Sequence, residues 1–132
     1  MNNLVKQRRR KWIILAAAVI LTAAACLLLR PWYLDYMERD HRATCEKARF
    51  VIEDRFYHKV DDLLEQGVAA EDIDYLSLLR EAVRENVDAE LGEDMTASGI
   101  CRSGGTYTFF LDPETHRVRI ACDYGDHGTY EL

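Results

Sequence analysis

Cys101-Arg102-Ser103-Gly104-Gly105-Thr106-Tyr107-Thr108-Phe109-Phe110-Leu111, a turn at Asp112-Pro113-Glu114-Thr115, then Val118-Arg119-Ile120-Ala121-Cys122 form the stretch that decides the fold. β-Branched and aromatic residues around a Pro-containing turn predict an antiparallel hairpin over about 106–122. Its register follows from its faces. Pairing Leu111 with Val118, Phe109 with Ile120 and Tyr107 with Cys122 gathers the large apolar side chains on one face. A slip of one residue sets Phe109 and Leu111 opposite arginines and is disfavoured. The favoured register leaves Pro113 to His116 as a four-residue loop, a common length. One face of the hairpin is therefore apolar and needs a partner.

Upstream the period of the pattern lengthens. Met37, His41, Cys45, Ala48, Ile52, Phe56, Val60 and Leu63 recur at steps of three and four. They predict an amphipathic helix over about 32–66, stopped by Gly67. Ala69 to Asp74 reads as a loop with N-cap candidates Asp72 and Asp74. A second helix over about 75–91 places Leu76, Leu79, Val83 and Val87 on one side, with Leu91 closing it and Gly92 ending it. Glu93 to Gly99 reads as a short polar connector. The expected fold class is α+β, with helix stripes covering a small antiparallel β-hairpin or sheet. No repeat, linker or low-complexity tract divides residues 30–132, so one small domain is expected there.

The other end of the chain bears on location. Lys6, Arg8, Arg9, Arg10 and Lys11 form a basic segment over residues 1–11. Trp12 to Leu29 follows without a charge, interrupted only by Thr22, and Arg30 ends it. As a helix that run is ~27 Å long, close to the ~30 Å hydrocarbon core of a bilayer. Trp12, Trp32 and Tyr33 stand where interfacial aromatics belong, and the basic cluster predicts a cytoplasmic N-terminus. All 23 Asp and Glu of the chain follow residue 30, where they outnumber the basic residues about two to one. The expectation is a single-pass anchor over 12–29 in the cell membrane and an extracytoplasmic domain over 30–132. Two alternatives export the same domain: a cleaved signal peptide, and a lipoprotein attached at Cys26 through Ala23-Ala24-Ala25-Cys26.

Cys101 and Cys122 lie on the exported, oxidising side, at matched ends of one hairpin, with Gly104 and Gly105 able to turn the first back beside the second. A structural disulfide between them is expected. Closing that loop contributes ~3 kcal/mol in the loop-entropy description. Cys45, on the helix stripe, reads as a small buried hydrophobe. The rival to the disulfide is zinc held by Cys101, His116, Cys122 and His127, although no C-x-x-C or H-x3-H spacing occurs and His116 falls at the hairpin tip. Calcium at Asp112, Glu114, Asp123 or Asp126 lacks a ligand loop of known spacing. No metal or other cofactor is expected.

The search for catalytic groups points away from an enzyme. Asp54 and His58 share a helix face, with Asp61 and Asp62 nearby, and read as surface residues. Ser77, Ser98 and Ser103 lack a nucleophile-elbow context. The acidic outer domain argues against nucleic acid as a partner, and no small-molecule substrate is identified.

Cys101-Arg102-Ser103-Gly104-Gly105-Thr106-Tyr107-Thr108, followed by Cys122 and His127-Gly128, resembles the C-terminal signature of type IV pilin and type II secretion pseudopilin-like proteins of monoderm bacteria. Those typically read C-P-x-G-G-x-Y, a short hairpin, then C-x-x-H-G. Tyr107, His127 and Gly128 are the further motif positions. The resemblance implies a membrane helix continuing into an amphipathic helix and a compact C-terminal β-element, acting through contacts with protein partners or like subunits. The sequence departs from the pattern at Arg102, in place of Pro, and in the four residues between Cys122 and His127. The peptidase site of pilins, a Gly followed by Phe-Thr-Leu-Ile-Glu, is replaced by Arg10-Lys11-Trp12-Ile13-Ile14. The resemblance thus covers the outer domain and not the assembly signal. The functional expectation is a membrane-anchored, non-enzymatic protein acting in protein–protein contacts or surface assembly. The alternative is a stand-alone anchored or lipoprotein binding or sensor module unrelated to filaments.

Overall fold

The computed structural model describes residues 2–125, 127 and 128. The chain divides into two compact units, Met1–Glu38 and Arg39–Leu132. A single helix, α1 (Asn2–Glu65), supplies the first unit and begins the second, continuing through Pro31. In the first unit every residue from Trp12 to Leu29 is exposed. The hydroxyl of Thr22 donates to the Ala18 carbonyl at 2.8 Å and so needs no water. By length and composition this is one helix able to cross a membrane.

In the second unit α1 buries Cys45, Arg49, Ile52, Phe56 and Val60. The stripe is the expected one with a correction: Arg49 is buried and Ala48 is half-buried. Gly67 ends the helix in the left-handed region (φ +85°). The Val68 N–H donates to the Leu63 carbonyl and the Gly67 N–H to the Leu64 carbonyl, each at 3.0 Å, which is the Schellman arrangement. A short 3-10 turn (Ala70–Asp72) leads to α2 (Tyr75–Val87). Of the two candidate caps Asp74 is the one used, accepting from the Ser77 N–H at 3.1 Å. The second helix stops four residues before the expected end because Asp88 turns left-handed (φ 49°), a conformation Asp tolerates better than most residues. Leu91 is nevertheless buried, through irregular backbone.

The three strands β1 (Thr96–Ala97), β2 (Tyr107–Leu111) and β3 (Val118–Cys122) form an antiparallel sheet in the order β1-β2-β3. The first lies inside the expected polar connector and pairs Thr96 with Thr108 and Ala97 with Tyr107. The hairpin has the register argued from its faces: Tyr107 opposite Cys122, Phe109 opposite Ile120, Leu111 opposite Val118. The Asp112 N–H to Arg117 carbonyl bond at 2.9 Å closes Pro113–His116 as the four-residue loop. Tyr107, Phe109, Val118, Ile120 and Cys122 then form one buried face. It shares a core with the α1 stripe and with Leu79, Ala82 and Val83 of α2. The architecture is α+β, two helices on a three-stranded sheet.

Candidate functional site

One position of α1 and three from the C-terminal third of the chain meet within this core. Cys45 projects from α1 and is buried beneath the sheet. Cys101 begins a tight turn, with the Gly104 N–H donating back to its carbonyl at 3.0 Å and Gly104 at φ +91°. The next residue, Gly105, runs so close to Cys122 that a Cβ there would stand 2.6 Å from the Cys122 Sγ and 2.7 Å from the Tyr124 Cβ. Cys122 is the last residue of β3. Beyond it a turn closed by the His127 N–H and the Tyr124 carbonyl, 3.0 Å, returns His127 to the core, where its side chain is fully buried. Tyr124 meets the imidazole edge-on at 4.9 Å.

The three Sγ atoms and a ring nitrogen of His127 all lie within 4.8 Å of one another. The Cys101 Sγ is 3.4 Å from the His127 Nδ1. All four cysteines of the chain are free thiols, so Cys101 and Cys122 are neighbours without a bond between them. Tyr107, beneath the site, donates its hydroxyl to the Cys45 carbonyl at 2.9 Å and approaches the Cys45 Sγ at 3.0 Å. Arg49, one helical turn along from Cys45, donates to the His127 carbonyl and, at 3.5 Å, to the Ile120 carbonyl. Its guanidinium occupies the place a Cβ on Gly128 would need, so the His-Gly pair fits against this buried arginine. Outside the cluster, His41 Nδ1 and Ser103 Oγ are 3.3 Å apart and Arg102 faces Asp40 at 3.8 Å, which holds the Cys101 turn against α1.

The thiols are unequal. Burial pushes Cys101 up, but backbone N–H groups of Gly105 and Ser103, with His127 and Cys122, more than reverse this and bring it to about 7. Cys122 goes to about 12, chiefly through burial, with the neighbouring Cys101 and Cys45 adding to it against a Tyr124 N–H. Burial and the Cys45 contact likewise raise Tyr107, which stays a donor. The cluster therefore sets one readily ionised sulfur, Cys101, beside a Cys122 thiol that burial holds protonated.

Of the residues weighed from sequence for zinc, Cys101, Cys122 and His127 come together and His116 does not. His116 stacks on Tyr75, centroids 3.8 Å apart, at the hairpin tip. Cys45 stands in its place. Two calcium candidates are engaged by backbone: Asp112 accepts the Glu114 and Thr115 N–H groups at 2.8 Å within the loop, and Asp123 accepts the Thr106 N–H at 2.6 Å across the hairpin. Glu114 is exposed in the same loop, and Asp126 lies outside the described residues. His58 and Asp54 form an exposed pair, 3.6 Å between Nδ1 and Oδ1. Ser77 serves the α2 cap and Ser98 is exposed. The surface groove along α2, lined by Ser77, Arg80, Glu81 and Arg84, includes none of the four clustered residues. No family profile, curated protein or solved structure matches the chain.

Proposed function

We propose that this chain is a single-pass membrane protein that holds its acidic α+β domain outside the cell for contact with protein partners or with further copies of itself. The observation that carries this reading is the composition of α1. Eighteen uncharged residues, Trp12–Leu29, are exposed in the first unit, whereas the second unit packs its part of the same helix beneath a sheet. Exposed apolar surface of that length has a hydrophobic solvent as its natural complement. The basic run before it sets the N-terminus inside. Non-enzymatic contact suits a site whose four polar side chains are buried and face one another.

The pilin-like relation belongs to the same proposal. It is supported by Gly104, Gly105 and Gly128 standing at positions where the backbone needs them. It extends to the outer domain alone, because Arg10-Lys11-Trp12 replaces the peptidase site. The test is carbonate extraction of membranes followed by protease treatment of intact cells, with antibodies to each end. Retention in the membrane, digestion of the C-terminal epitope and protection of the N-terminal one are expected. Release by carbonate, or a C-terminal epitope protected in intact cells but cut after lysis, overturns the proposal.

A further inference from the structure

We propose that Cys45, Cys101, Cys122 and His127 form a closed tetrahedral zinc site that fastens α1 to both ends of the hairpin. Three sulfurs and one imidazole nitrogen are a donor set zinc takes in structural sites. With Zn–S near ~2.3 Å and Zn–N near ~2.0 Å, the edges of such a tetrahedron are roughly 3.5–3.8 Å. The four ligand atoms lie within 4.8 Å of one another, and the 3.4 Å from the Cys101 Sγ to the His127 Nδ1 is already such an edge. Small side-chain rotations, with no backbone rearrangement, complete the set. All four residues are buried and all come from the protein, leaving no open position for substrate, so the ion's role there is structural.

The surroundings suit thiolates. Each sulfur has a polar hydrogen beside it: at Cys45 the Tyr107 hydroxyl, shared with the Cys45 carbonyl, at Cys101 the Ser103 and Gly105 N–H groups, and at Cys122 the Tyr124 N–H. Such partners orient ligands and sustain their charge. On binding, Zn2+ displaces the remaining thiol protons to solvent, and three thiolates with one divalent ion leave a net charge of −1. Arg49, buried beside the site and bonded to the carbonyl of His127 itself, supplies the opposing charge. Two plainer readings explain less. Buried cysteines acting as small hydrophobes need neither the imidazole nor the N–H donors. A Cys101–Cys122 disulfide engages only two of the four clustered ligand atoms.

The full-length protein, purified in detergent without chelator, tests the site. Metal analysis is expected to find one zinc per chain. Replacement by Co2+ is expected to give the intense visible bands of tetrahedral cobalt and a near-ultraviolet sulfur-to-cobalt transition. The Cys45→Ser and His127→Ala variants should each lose zinc, and Cys26→Ser should keep it. His127→Cys retains four ligands and should hold the metal with an altered cobalt spectrum, which separates ligation from mere folding. Tyr107→Phe should weaken zinc binding by about 10–100-fold while leaving the ligands in place. Zinc-free protein with all four thiols reduced, weak octahedral cobalt bands, or an intact mass and peptide map showing a native Cys101–Cys122 disulfide would each overturn the proposal.

Discussion

Two stretches of α1 are equally helical and oppositely solvated. Between Trp12 and Leu29 every side chain is exposed and none is charged; between Cys45 and Val60 one narrow stripe is buried and charged residues occupy the other faces. Helix geometry is common to both, so the difference lies in what surrounds the side chains. Among the described residues of its unit the first stretch has no protein partner, and its stability depends on the medium around it. The second is held by a core shared with α2 and the sheet. A helix of this length is thus specified twice, once by uniform apolarity and once by a periodic stripe.

The strongest way to break this comparison is to remove an anchor of the stripe. Phe56 has no exposed surface and sits at the centre of the core, so Phe56→Ala should cost about 3–5 kcal/mol of domain stability. Phe50, on the same helix but 67% exposed, should tolerate the same change within about 0.5 kcal/mol. Denaturant unfolding in detergent, followed by tyrosine fluorescence, compares the two. Equal losses would mean that the stripe does not face the core.

The complementary substitution acts on the first stretch. Ile20→Asp should make membrane insertion less favourable by about 3–4 kcal/mol, the cost of Asp plus the lost contribution of Ile, read as the inserted fraction in a translocation assay. It should leave the unfolding of the domain unchanged, because Ile20 is exposed and outside the core. An unaltered inserted fraction would show that residues 12–29 are not handled as a membrane segment.

Gly105→Ala probes a close approach of backbone to strand end in the outer domain. Its methyl group would meet the Cys122 Sγ at 2.6 Å and the Tyr124 Cβ at 2.7 Å, so one strand end must move. A loss of about 1–3 kcal/mol is expected. Ala substitution at Gly99, which no atom crowds within 4 Å, strains only the backbone at φ +81° and should cost less, about 1 kcal/mol. Thermal melts of the two variants rank them, and an equal or reversed order would place the crowding elsewhere.

The elements with strong local signals were legible before the structure. The hairpin register followed from alternation alone, because only one pairing keeps Phe109 and Leu111 away from arginines. The α1 stop at Gly67 followed from a residue with a strong backbone preference, while the α2 cap was narrowed to Asp72 or Asp74 and the structure uses Asp74. What escaped was decided by tertiary contact. The two-residue β1 is too short for any periodicity and exists because Phe109 N–H finds the Met95 carbonyl at 2.8 Å. Arg49 reads as a surface charge until the C-terminal carbonyls that accept from it are in place. Cys45 reads as a hydrophobe because its partners lie more than fifty residues away. Ligand spacing carries information only when ligands share a local segment, and these four do not. The useful hint was the count: beyond the apolar run stand three cysteines, and the structure gathers all three.

The smallest expected effect belongs to the water-facing side of α1, where charge rather than burial acts. His58 is raised above its ordinary value, first by the Asp54 backbone carbonyl that its Nδ1 meets at 2.9 Å and then by the Asp54 carboxylate. A raised folded value means that the protonated ring favours the folded state. That contribution is fully present below the unfolded value of about 6.5 and fades as pH rises through the folded one. Asp54→Asn keeps the carbonyl and removes the carboxylate, so the His58 titration followed by NMR should shift downward yet stay above the unfolded value. Salt should shrink the carboxylate part and spare the carbonyl part, since only the former acts between full charges across solvent. A titration that Asp54→Asn leaves unmoved would show that the Asp54 carboxylate contributes nothing, leaving the shift to the helix backbone and to Asp61 and Asp62.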